Sequence, residues 1–263
     1  MPLSVCATPI GNLDDVTLRV LAELREADVV LCEDTRHTRT LLERHDIDAR
    51  VLSYHEHNEA ARTAELLPRL ELGERIALVT DAGMPAISDP GARIVRAALD
   101  AGIPVTVLPG PSAVEAALVA SGLVGERYHF LGFLPRGAKD WDELAGTAWP
   151  SVAFESPQRL PATLRSLADA DPSREVAVCR ELTKRFEEVV RGTAAEVAAR
   201  FADPPKGEIT LVVGPSSAKE RDDAGALAAV GELVDAGVPR RRAADIVSRL
   251  TGIARNRLYR GSL

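Results

Sequence analysis

Aromatic residues are scarce in this chain: they make up only 4% of its 263 residues. The core must therefore consist mainly of alanine, valine and leucine. Long apolar runs are also missing, because none approaches the ~20 residues that a membrane-spanning helix needs. The N-terminus carries no cationic stretch followed by a hydrophobic segment, so we expect no signal peptide. These absences predict a cytoplasmic protein that does not enter a membrane.

Cysteine is rare as well. Cys6, Cys32 and Cys179 are far apart, form no CxxC pair and are odd in number, which argues against a disulfide framework. Buried, reduced thiols are expected, since free cysteine behaves as a small hydrophobic residue. His55 and His57 could share one face of a strand, but a metal site needs three or four ligands and no convincing completion follows. We expect no metal, and favour polar contacts from these histidines to a substrate.

Phosphate-binding loops are absent too, because neither GxGxxG nor GxxxxGK[ST] occurs. Instead, three apolar runs end in loops of glycine and proline where a helix should begin. The loops are Thr8–Asn12, Thr80–Pro85 and Pro109–Ala113. In an open α/β sheet, ligands bind in the crevice outside the carboxyl ends of the strands. The sequence therefore predicts a crevice for a ligand other than a pyrophosphate.

The order of predicted elements indicates an α/β protein in three parts. Residues 1–122 alternate strand and helix, as a parallel sheet requires. Residues 123–216 begin with a connection up to Pro150 and then form a second α/β unit, with a mixed sheet because two strands follow each other directly. Residues 217–263 begin with a polar linker to Asp223, and two short helices around Thr251-Gly252 then give a helix-turn-helix pattern.

Four helix starts are predicted from capping residues. Asp89-Pro90 and Ser156-Pro157 each place a capping side chain before a proline. Ser112 to Glu115 and Thr193 to Glu196 have the spacing of a capping box.

Charge is distributed unevenly along the chain. The net charge is −7, yet the last 28 residues carry +6 and the preceding part −13. The seven arginines of this tail are Arg240, Arg241, Arg242, Arg249, Arg255, Arg257 and Arg260. A basic arm on an acidic body is associated with phosphate backbones. A solvated basic helix face is the alternative.

Several charged or polar residues follow predicted strands. Asp81 should project into the crevice, or else only organise its turn. Ser112 caps a helix whose free backbone donors could also meet an anionic group. The run Glu33-Asp34-Thr35-Arg36 fits either a site or a salt-bridged turn. Later strand ends carry cations that could hold a phosphate or form ordinary ion pairs: Arg180, Lys184 and Lys206.

Taken together, a set of short strings carries a resemblance over the full length. The strings are Ala7-Thr8-Pro9-Ile10-Gly11-Asn12-Leu13, Cys32-Glu33-Asp34-Thr35-Arg36, Asp81-Ala82-Gly83, Ile87-Ser88-Asp89-Pro90-Gly91, Pro109-Gly110-Pro111-Ser112-Ala113, Gly132-Phe133-Leu134-Pro135, Glu155-Ser156-Pro157, Cys179 to Lys184, Lys206-Gly207-Glu208 and Arg255-Asn256-Arg257-Leu258-Tyr259. In this order they resemble the bacterial ribosomal RNA small subunit methyltransferase I family, which has the tetrapyrrole methylase fold.

The resemblance implies S-adenosylmethionine (SAM) as methyl donor in a cleft between two α/β domains. It also implies a homodimer, and transfer to the ribose 2′-oxygen of a decoding-centre cytidine in 16S rRNA, within the small ribosomal subunit. We expect Glu33, Asp34 and Arg36 to act on the substrate side, positioning the ribose or assisting loss of its proton. The residues implied for the SAM site are Pro9, Asp81, Ala82, Gly83, Met84, Ile87, Ser112, Ala113, Phe154, Cys179 and Gly207.

This chain departs from the family at two positions, with Met84 and Gln158 where relatives usually have Thr and His. The general base is therefore not assigned to the motif that contains Gln158. Two other functions stay open from the sequence. One is methylation of a tetrapyrrole, but such a substrate would not require the basic tail. The other is DNA binding by a ligand-sensing regulator, which would leave the charged residues at the strand ends without a function.

Overall fold

The computed structural model describes residues 2–134, 147–216, 218–251, 253 and 255–262, with the side chains of residues 218–223 and 257 outside the description. The first sheet has strands β1 (Leu3–Cys6), β2 (Val29–Cys32), β3 (Val51–Ser53), β4 (Ile76–Leu78) and β5 (Val105–Leu108). They are all parallel, in the order β3-β2-β4-β1-β5. The predicted parallel α/β sheet is confirmed.

Helices cover both faces of this sheet. They are α1 (Leu18–Glu26), α2 (Thr35–Arg44), α3 (Glu59–Glu71) and α4 (Ala92–Asp100). Leu24 of α1 and Leu42 of α2 pack with Cys6 on one face, whereas Leu66 of α3 and Ile94 of α4 pack with Leu3 on the other. Because successive residues of a strand point to opposite faces, β1 serves both clusters. Because all five strands of the first sheet are parallel, their carboxyl ends lie at the same edge of the sheet.

The second sheet is mixed, as predicted. Its strands are β6 (His129–Phe133), β7 (Ser151–Glu155), β8 (Glu175–Arg180), β9 (Glu188–Thr193) and β10 (Ile209–Val213), in the order β6-β7-β10-β8-β9. Among its described strands, only β6 and β7 pair in parallel. Helices α6 (Leu160–Ala170) and α7 (Ala194–Arg200) pack on one face.

Helix α5 (Ala113–Ser121) covers the other face of the second sheet. Val114, Ala117 and Leu118 pack there with Val152 and Val212. The helix follows the last strand of the first sheet and packs on the second, so its N-terminus lies between the two sheets.

Three helices form the C-terminal unit: α8 (Ala218–Asp235), α9 (Arg240–Thr251) and α10 (Arg255–Gly261). Val230, Ala244, Val247 and Leu258 are buried against one another. The pair α9 and α10 matches the predicted helix-turn-helix pattern. No helix in the described part of the chain is long and apolar enough to cross a membrane.

Several sequence predictions about local structure were wrong. The connection before Pro150 contains strand β6, whose pattern is interrupted by Gly132 at a register shift; Pro135, Gly137 and Gly146 lie outside the described residues. The predicted linker after Ser216 is helical from Ala218, because its Ala, Lys, Glu and Arg residues form helices readily.

His55 and His57 do not lie on a strand. They lie in a turn before α3, where the His55 amide donates to Asn58 Oδ1 at 2.8 Å. No group of three or more potential metal ligands occurs among the described residues.

The helix caps follow the predictions only in part. Thr193 and Glu196 form the predicted capping box at α7. Helix α4 begins after Gly91 rather than at Asp89-Pro90, because the chain first makes a left-handed turn at Ser88 (φ 63°). The N-cap position of helix α6 is Arg159, which makes no side-chain capping bond, rather than Ser156, since Ser156 and Pro157 belong to a preceding turn.

Ser112 occupies the N-cap of α5, but its side chain accepts no capping bond. Its hydroxyl instead donates to Glu115, the residue that was predicted to complete the capping box.

The three cysteines are free and buried, as predicted. Burial raises the pKa of the Cys6 thiol to about 12 and that of Cys179 to about 11. These thiols therefore stay protonated and unreactive near neutral pH.

Candidate functional site

The loops that follow β1 and β4 are joined at the edge of the first sheet. Thr8 and Gly83 exchange two backbone hydrogen bonds, of 2.8 and 3.1 Å. The Thr8 hydroxyl also donates to the Thr80 carbonyl at 2.9 Å. These bonds place Asp81, between Thr80 and Gly83, at a fixed position beside the end of β1.

The loop after β2 meets Asp81 from the opposite side. The Asp34 amide donates to Asp81 Oδ1 at 3.2 Å, and His37 Nδ1 lies 3.9 Å from the other oxygen. Asp34 caps α2 through the Arg36 amide and forms an ion pair of 2.6 Å with the Arg36 guanidinium. Hydrogen bonds from Arg36 hold the pKa of Asp34 well below its usual range. Asp34 therefore favours its ionised form near neutral pH, and it caps α2 next to Asp81.

The loop from Asp81 to Gly91 contains backbone strain. Ala86 and Ser88 have φ values of 68° and 63°, a region that costs a non-glycine residue about 1–3 kcal/mol. Gly91 has a φ of 138°, and a Cβ at that position would lie 2.8 Å from Leu78 Cδ2. Such turns bend the loop back so that Ile87, Ser88 and Asp89 face a cavity with Asp81.

This main cavity, of about 300 Å³, lies between the two sheets. The first sheet contributes Ile10 and the loop Asp81–Asp89, and the start of α5 contributes Ser112 to Val114. Its volume is at the lower end of the range for small-molecule sites. The site is therefore formed by both α/β units together.

A cross-strand row of the second sheet forms one wall of the cavity. Thr210 of β10 pairs with Phe154 on one side and with Cys179 on the other, and Phe154 pairs with Phe133. All four residues line the cavity. The Phe154 ring contacts those of Phe130 and Phe133 with centroid distances of 5.2 and 5.4 Å. This wall offers a flat aromatic surface beside a threonine hydroxyl.

Carboxylates give the cavity its charge. Its lining contains Asp81, Asp89, Glu155 and Glu208 but no lysine, arginine or histidine among the described residues. Glu155 is buried and paired with Arg159 at 2.6 Å, and Glu208 is paired with Lys184 at 2.8 Å. In the described part of the chain, neither Asp81 nor Asp89 has a lysine or arginine within 4.0 Å.

Asp89 was missed as a site residue because Asp89-Pro90 was interpreted as a helix start. Burial, together with the charges of Glu33 and Asp81, raises the pKa of Asp89 to about 6. Burial and the nearby Asp81 also raise the pKa of Glu33. The sequence signal that could have identified Asp89 was the string Ile87 to Gly91. This string helped to carry the family resemblance, yet its Asp89 carboxylate had been given no role in the site.

A smaller cavity adjoins the main one and shares Ile10, Asp81, Ala82 and Glu208 with it. It has a volume of about 90 Å³, and His37, Thr38 and Lys184 also line it. Asp81 therefore lies where the two spaces meet.

The predicted site residues fall into four groups. Nine line the main cavity: Asp81, Ala82, Gly83, Met84, Ile87, Ser112, Ala113, Phe154 and Cys179. Pro9 lines the smaller cavity instead. Gly207 lines neither of the two cavities; a Cβ there would lie 2.5 Å from the Glu181 carboxyl carbon, so it makes room for that carboxylate. Glu33, Asp34 and Arg36 lie outside both, at the start of α2 beside Asp81.

Arg180 and Lys184 form ion pairs rather than an open phosphate site. Arg180 pairs with Glu188 at 3.0 Å, and Lys184 bridges Glu181 and Glu208.

Comparison with known proteins gives the family. The family model for Tetrapyrrole (Corrin/Porphyrin) Methylases matches residues 2–198. Ribosomal RNA small subunit methyltransferase I of Mesorhizobium japonicum is 43% identical over 265 residues, which cover 98% of this chain and 90% of the relative. The chain belongs to the ribosomal RNA small subunit methyltransferase I family of tetrapyrrole methylases. The protein of the same name from Bacillus subtilis is 42% identical, covering 84% and 77% of the two chains.

Solved structures confirm the fold of this methylase. Cobalt precorrin-4 methyltransferase aligns with a TM-score of 0.60 and 22% identity, covering 81% of this chain and 94% of the other. Uroporphyrin-III C-methyltransferase from Thermus thermophilus, in complex with S-adenosylhomocysteine, aligns with a TM-score of 0.60 and 19% identity, covering 81% and 96%.

Methylases of this family use SAM, and the chemistry of the main cavity fits that cofactor. SAM has a net positive charge, with a sulfonium, an ammonium and one carboxylate, and it carries no phosphate. The carboxylates of Asp81 and Asp89, which have no lysine or arginine within 4.0 Å in the described part of the chain, suit the cationic groups. The aromatic wall at Phe154 suits a flat purine. The absence of cations from the described lining likewise disfavours a phosphate ligand.

The arginines of the C-terminal unit lie mainly on its surface. Arg241, Arg242, Arg249, Arg255 and Arg260 are exposed, and Arg240 is half-buried. Only Arg249 forms an ion pair in the described tail, with Asp245 at 3.5 Å. The Arg257 side chain lies outside the described residues.

Proposed function

We propose that this protein transfers a methyl group from SAM to the ribose 2′-oxygen of a decoding-centre cytidine in 16S rRNA, within the small ribosomal subunit. The observation that carries the proposal is the division of charge within one chain. An acidic cavity that suits a cationic cofactor occurs together with an arginine-rich helical unit that suits a polyanion. The names of the relatives support RNA of the small subunit as the polyanion.

The main cavity is proposed to hold the cofactor, which supplies an electrophilic methyl group when bound. Asp81 and Asp89 would face its cationic groups, while Ser112 and Ala113 at the start of α5 would meet its polar end. Phe154 would pack on its purine. The smaller cavity, which meets the main one at Asp81, is then open for the methyl acceptor.

A ribose hydroxyl is a weak nucleophile, so the protein must orient it and accept its proton. Glu33 and Asp34 lie outside both cavities, next to Asp81, which lines both of them. Asp34 is a poor proton acceptor, because Arg36 keeps its pKa low. Glu33 is the better acceptor, since burial raises its pKa. We assign proton transfer to Glu33 and positioning to Asp34 with Arg36.

The tail is proposed to bring the acidic body to its RNA substrate. Arg240, Arg241, Arg242 and Arg255 would contact phosphates, and the sequence adds Arg257. Each phosphate that is neutralised releases counterions. This release contributes a favourable free energy of binding, which becomes smaller as the salt concentration rises. The homodimer that the resemblance implies stays a proposal, and sedimentation velocity measures its mass.

The deciding experiment supplies labelled SAM and small ribosomal subunits from a strain that lacks the enzyme. We expect one labelled cytidine whose phosphodiester linkage resists alkali, because a 2′-O-methyl group blocks attack by that oxygen. Glu33→Gln should reduce turnover by about 10²–10⁴-fold with unchanged SAM affinity. Label on a base, or on no RNA at all, would overturn the proposal. Methylation of a free tetrapyrrole without any methylation of RNA would overturn it as well.

A further inference from the structure

An exposed aromatic ring lies at the tip of a β-turn beside the smaller cavity. The turn is Lys184–Glu187, closed by a bond from the Glu187 amide to the Lys184 carbonyl at 3.1 Å. Phe186 occupies its third position and is 64% exposed. Lys184, the first residue of the same turn, lines the smaller cavity. Along the sequence, Phe186 is therefore two residues from Lys184, which lines the cavity proposed for the methyl acceptor.

The base of this turn is held firmly by the surrounding structure. The Thr183 amide donates to the Glu187 carboxylate at 2.6 Å, and the Lys184 ammonium bridges Glu181 and Glu208 at 3.1 and 2.8 Å. The first α/β unit also contributes, because the Asn12 amide donates to the Thr183 hydroxyl at 2.9 Å.

Strain in the backbone indicates that this shape is imposed. Glu181 and Thr183 have φ values of 53° and 64°, each costing about 1–3 kcal/mol for a non-glycine residue. A single exposed hydrophobic residue is ordinary. An exposed ring on a strained, braced turn at the edge of a ligand cavity is a different feature, because the ring belongs to none of the described core clusters.

A guanidinium accompanies the ring. The Arg185 Cζ atom lies 5.5 Å from the Phe186 ring centroid, and Arg185 is exposed. Among the described residues no carboxylate lies within 4.0 Å of its charge. An aromatic face beside an unpaired arginine is the combination that proteins use to stack a base and hold its backbone in single-stranded nucleic acid.

We propose that Arg185 and Phe186 form a stacking platform for a base of the RNA substrate, with the Phe186 ring under the base and the Arg185 guanidinium on a neighbouring phosphate. This inference rests on the proposed function, since it takes RNA as the substrate. A base held here would place its nucleotide beside the smaller cavity and outside any duplex. Single-stranded RNA is thus the favoured form of the target.

The test compares Phe186→Ala, Phe186→Tyr and a control, Leu72→Ala, whose side chain is 89% exposed at the end of α3. Stacking contributes ~1–3 kcal/mol per base, so Phe186→Ala should raise the KM for small subunits by roughly 5- to 150-fold. We expect kcat at saturation and SAM affinity by calorimetry to change little. Phe186→Tyr should restore the KM, and the control should match the wild type.

A second measurement does not depend on methyl transfer. Fluorescence anisotropy of a labelled single-stranded oligocytidine should show weaker binding to Phe186→Ala and Arg185→Ala than to the wild type. Sedimentation velocity should give the same mass for all variants. Unchanged KM and anisotropy in Phe186→Ala would overturn the platform, and so would a loss of oligomer in that variant, which would identify the ring as a contact with a second copy. If the wild type methylates no RNA, the proposed function itself fails.

Discussion

We predict that Asp89 makes a pH-dependent contribution both to stability and to SAM binding. Its carboxylate lines the main cavity without a lysine or arginine partner among the described residues, and burial raises its pKa to about 6. Because the pKa is raised on folding, the folded state favours the protonated acid. The resulting stability is present below the ordinary aspartate pKa of about 4 and is lost as the pH rises through about 6.

The size of this effect follows from the position of the side chain. The difference between a pKa of about 6 and the ordinary value of about 4 corresponds to about 3 kcal/mol for a group shielded from water. Asp89 is only half-buried, so solvent screening reduces this to about 1–2 kcal/mol. A cationic ligand in the cavity favours the ionised carboxylate. SAM should therefore bind more tightly as the pH rises through 6, by about 5- to 30-fold where the bound cation returns the pKa of Asp89 to its ordinary value.

Calorimetry with SAM between about pH 5 and pH 8 measures this dependence, and thermal unfolding without SAM measures the stability term. In Asp89→Asn the affinity should stay near the weak, low-pH value, and the unfolding temperature should no longer fall through pH 6. Asp100→Asn is the matched control, since Asp100 is an exposed aspartate paired with Arg96 at the end of α4. An equal pH slope of SAM affinity in wild type and Asp89→Asn would refute the reasoning.

Four further changes test other parts of the site. Asp34→Asn should lower turnover more than SAM affinity in a methyl-transfer assay, because Asp34 holds Arg36 and α2 rather than the cavity wall. Ser112→Ala should weaken SAM binding in calorimetry while changing the unfolding free energy by less than the ~1 kcal/mol of a true cap, since its hydroxyl does not cap α5. Gly11→Ala should destabilise the protein in denaturant titration, because the added Cβ would lie 2.9 Å from the Leu182 carbonyl oxygen, whereas Gly225→Ala has open space within α8 and should be neutral or stabilising by up to ~1 kcal/mol. Replacing Arg241 and Arg242 by Gln should flatten the slope of log RNA affinity against log salt by about 1.4, with SAM affinity unchanged.

Sequence patterns were sufficient to predict where strands of the parallel sheet end and loops begin. The run Ile76 to Leu78 followed by Asp81 and Gly83 predicted a loop at the carboxyl edge, and the structure places that loop in the main cavity. The prediction succeeded because periodicity and glycine-proline punctuation are local properties of the chain. Phe154 and Cys179 also line the cavity, and their common row through Thr210 follows from strand register that single segments do not reveal.

Other features depend on contacts between distant segments, and the sequence could not supply them. Asp89 turns into the cavity because Ala86 and Ser88 adopt left-handed backbone conformations that nothing in their side chains predicts. Ser112 fails to cap α5 because its hydroxyl donates to Glu115, which also accepts a bond from Tyr128 of the second unit. Lys184 pairs with Glu208, 24 residues away, only because β8 and β10 are neighbours.

The distribution of charge explains how one chain can suit both a cationic cofactor and an anionic substrate. A cavity lined by Asp81 and Asp89 attracts a cation but would repel RNA if it were the first surface that the RNA met. The exposed arginines of α9 and α10 lie on a separate helical unit, which packs through its own core of Val230, Val247 and Leu258. Because the attraction of phosphates by the tail reaches about a Debye length, roughly 10 Å at moderate salt, the two fields need not cancel. In the proposed function, the acidic site selects its cofactor, while the basic unit and the proposed platform at Phe186 select the polyanion.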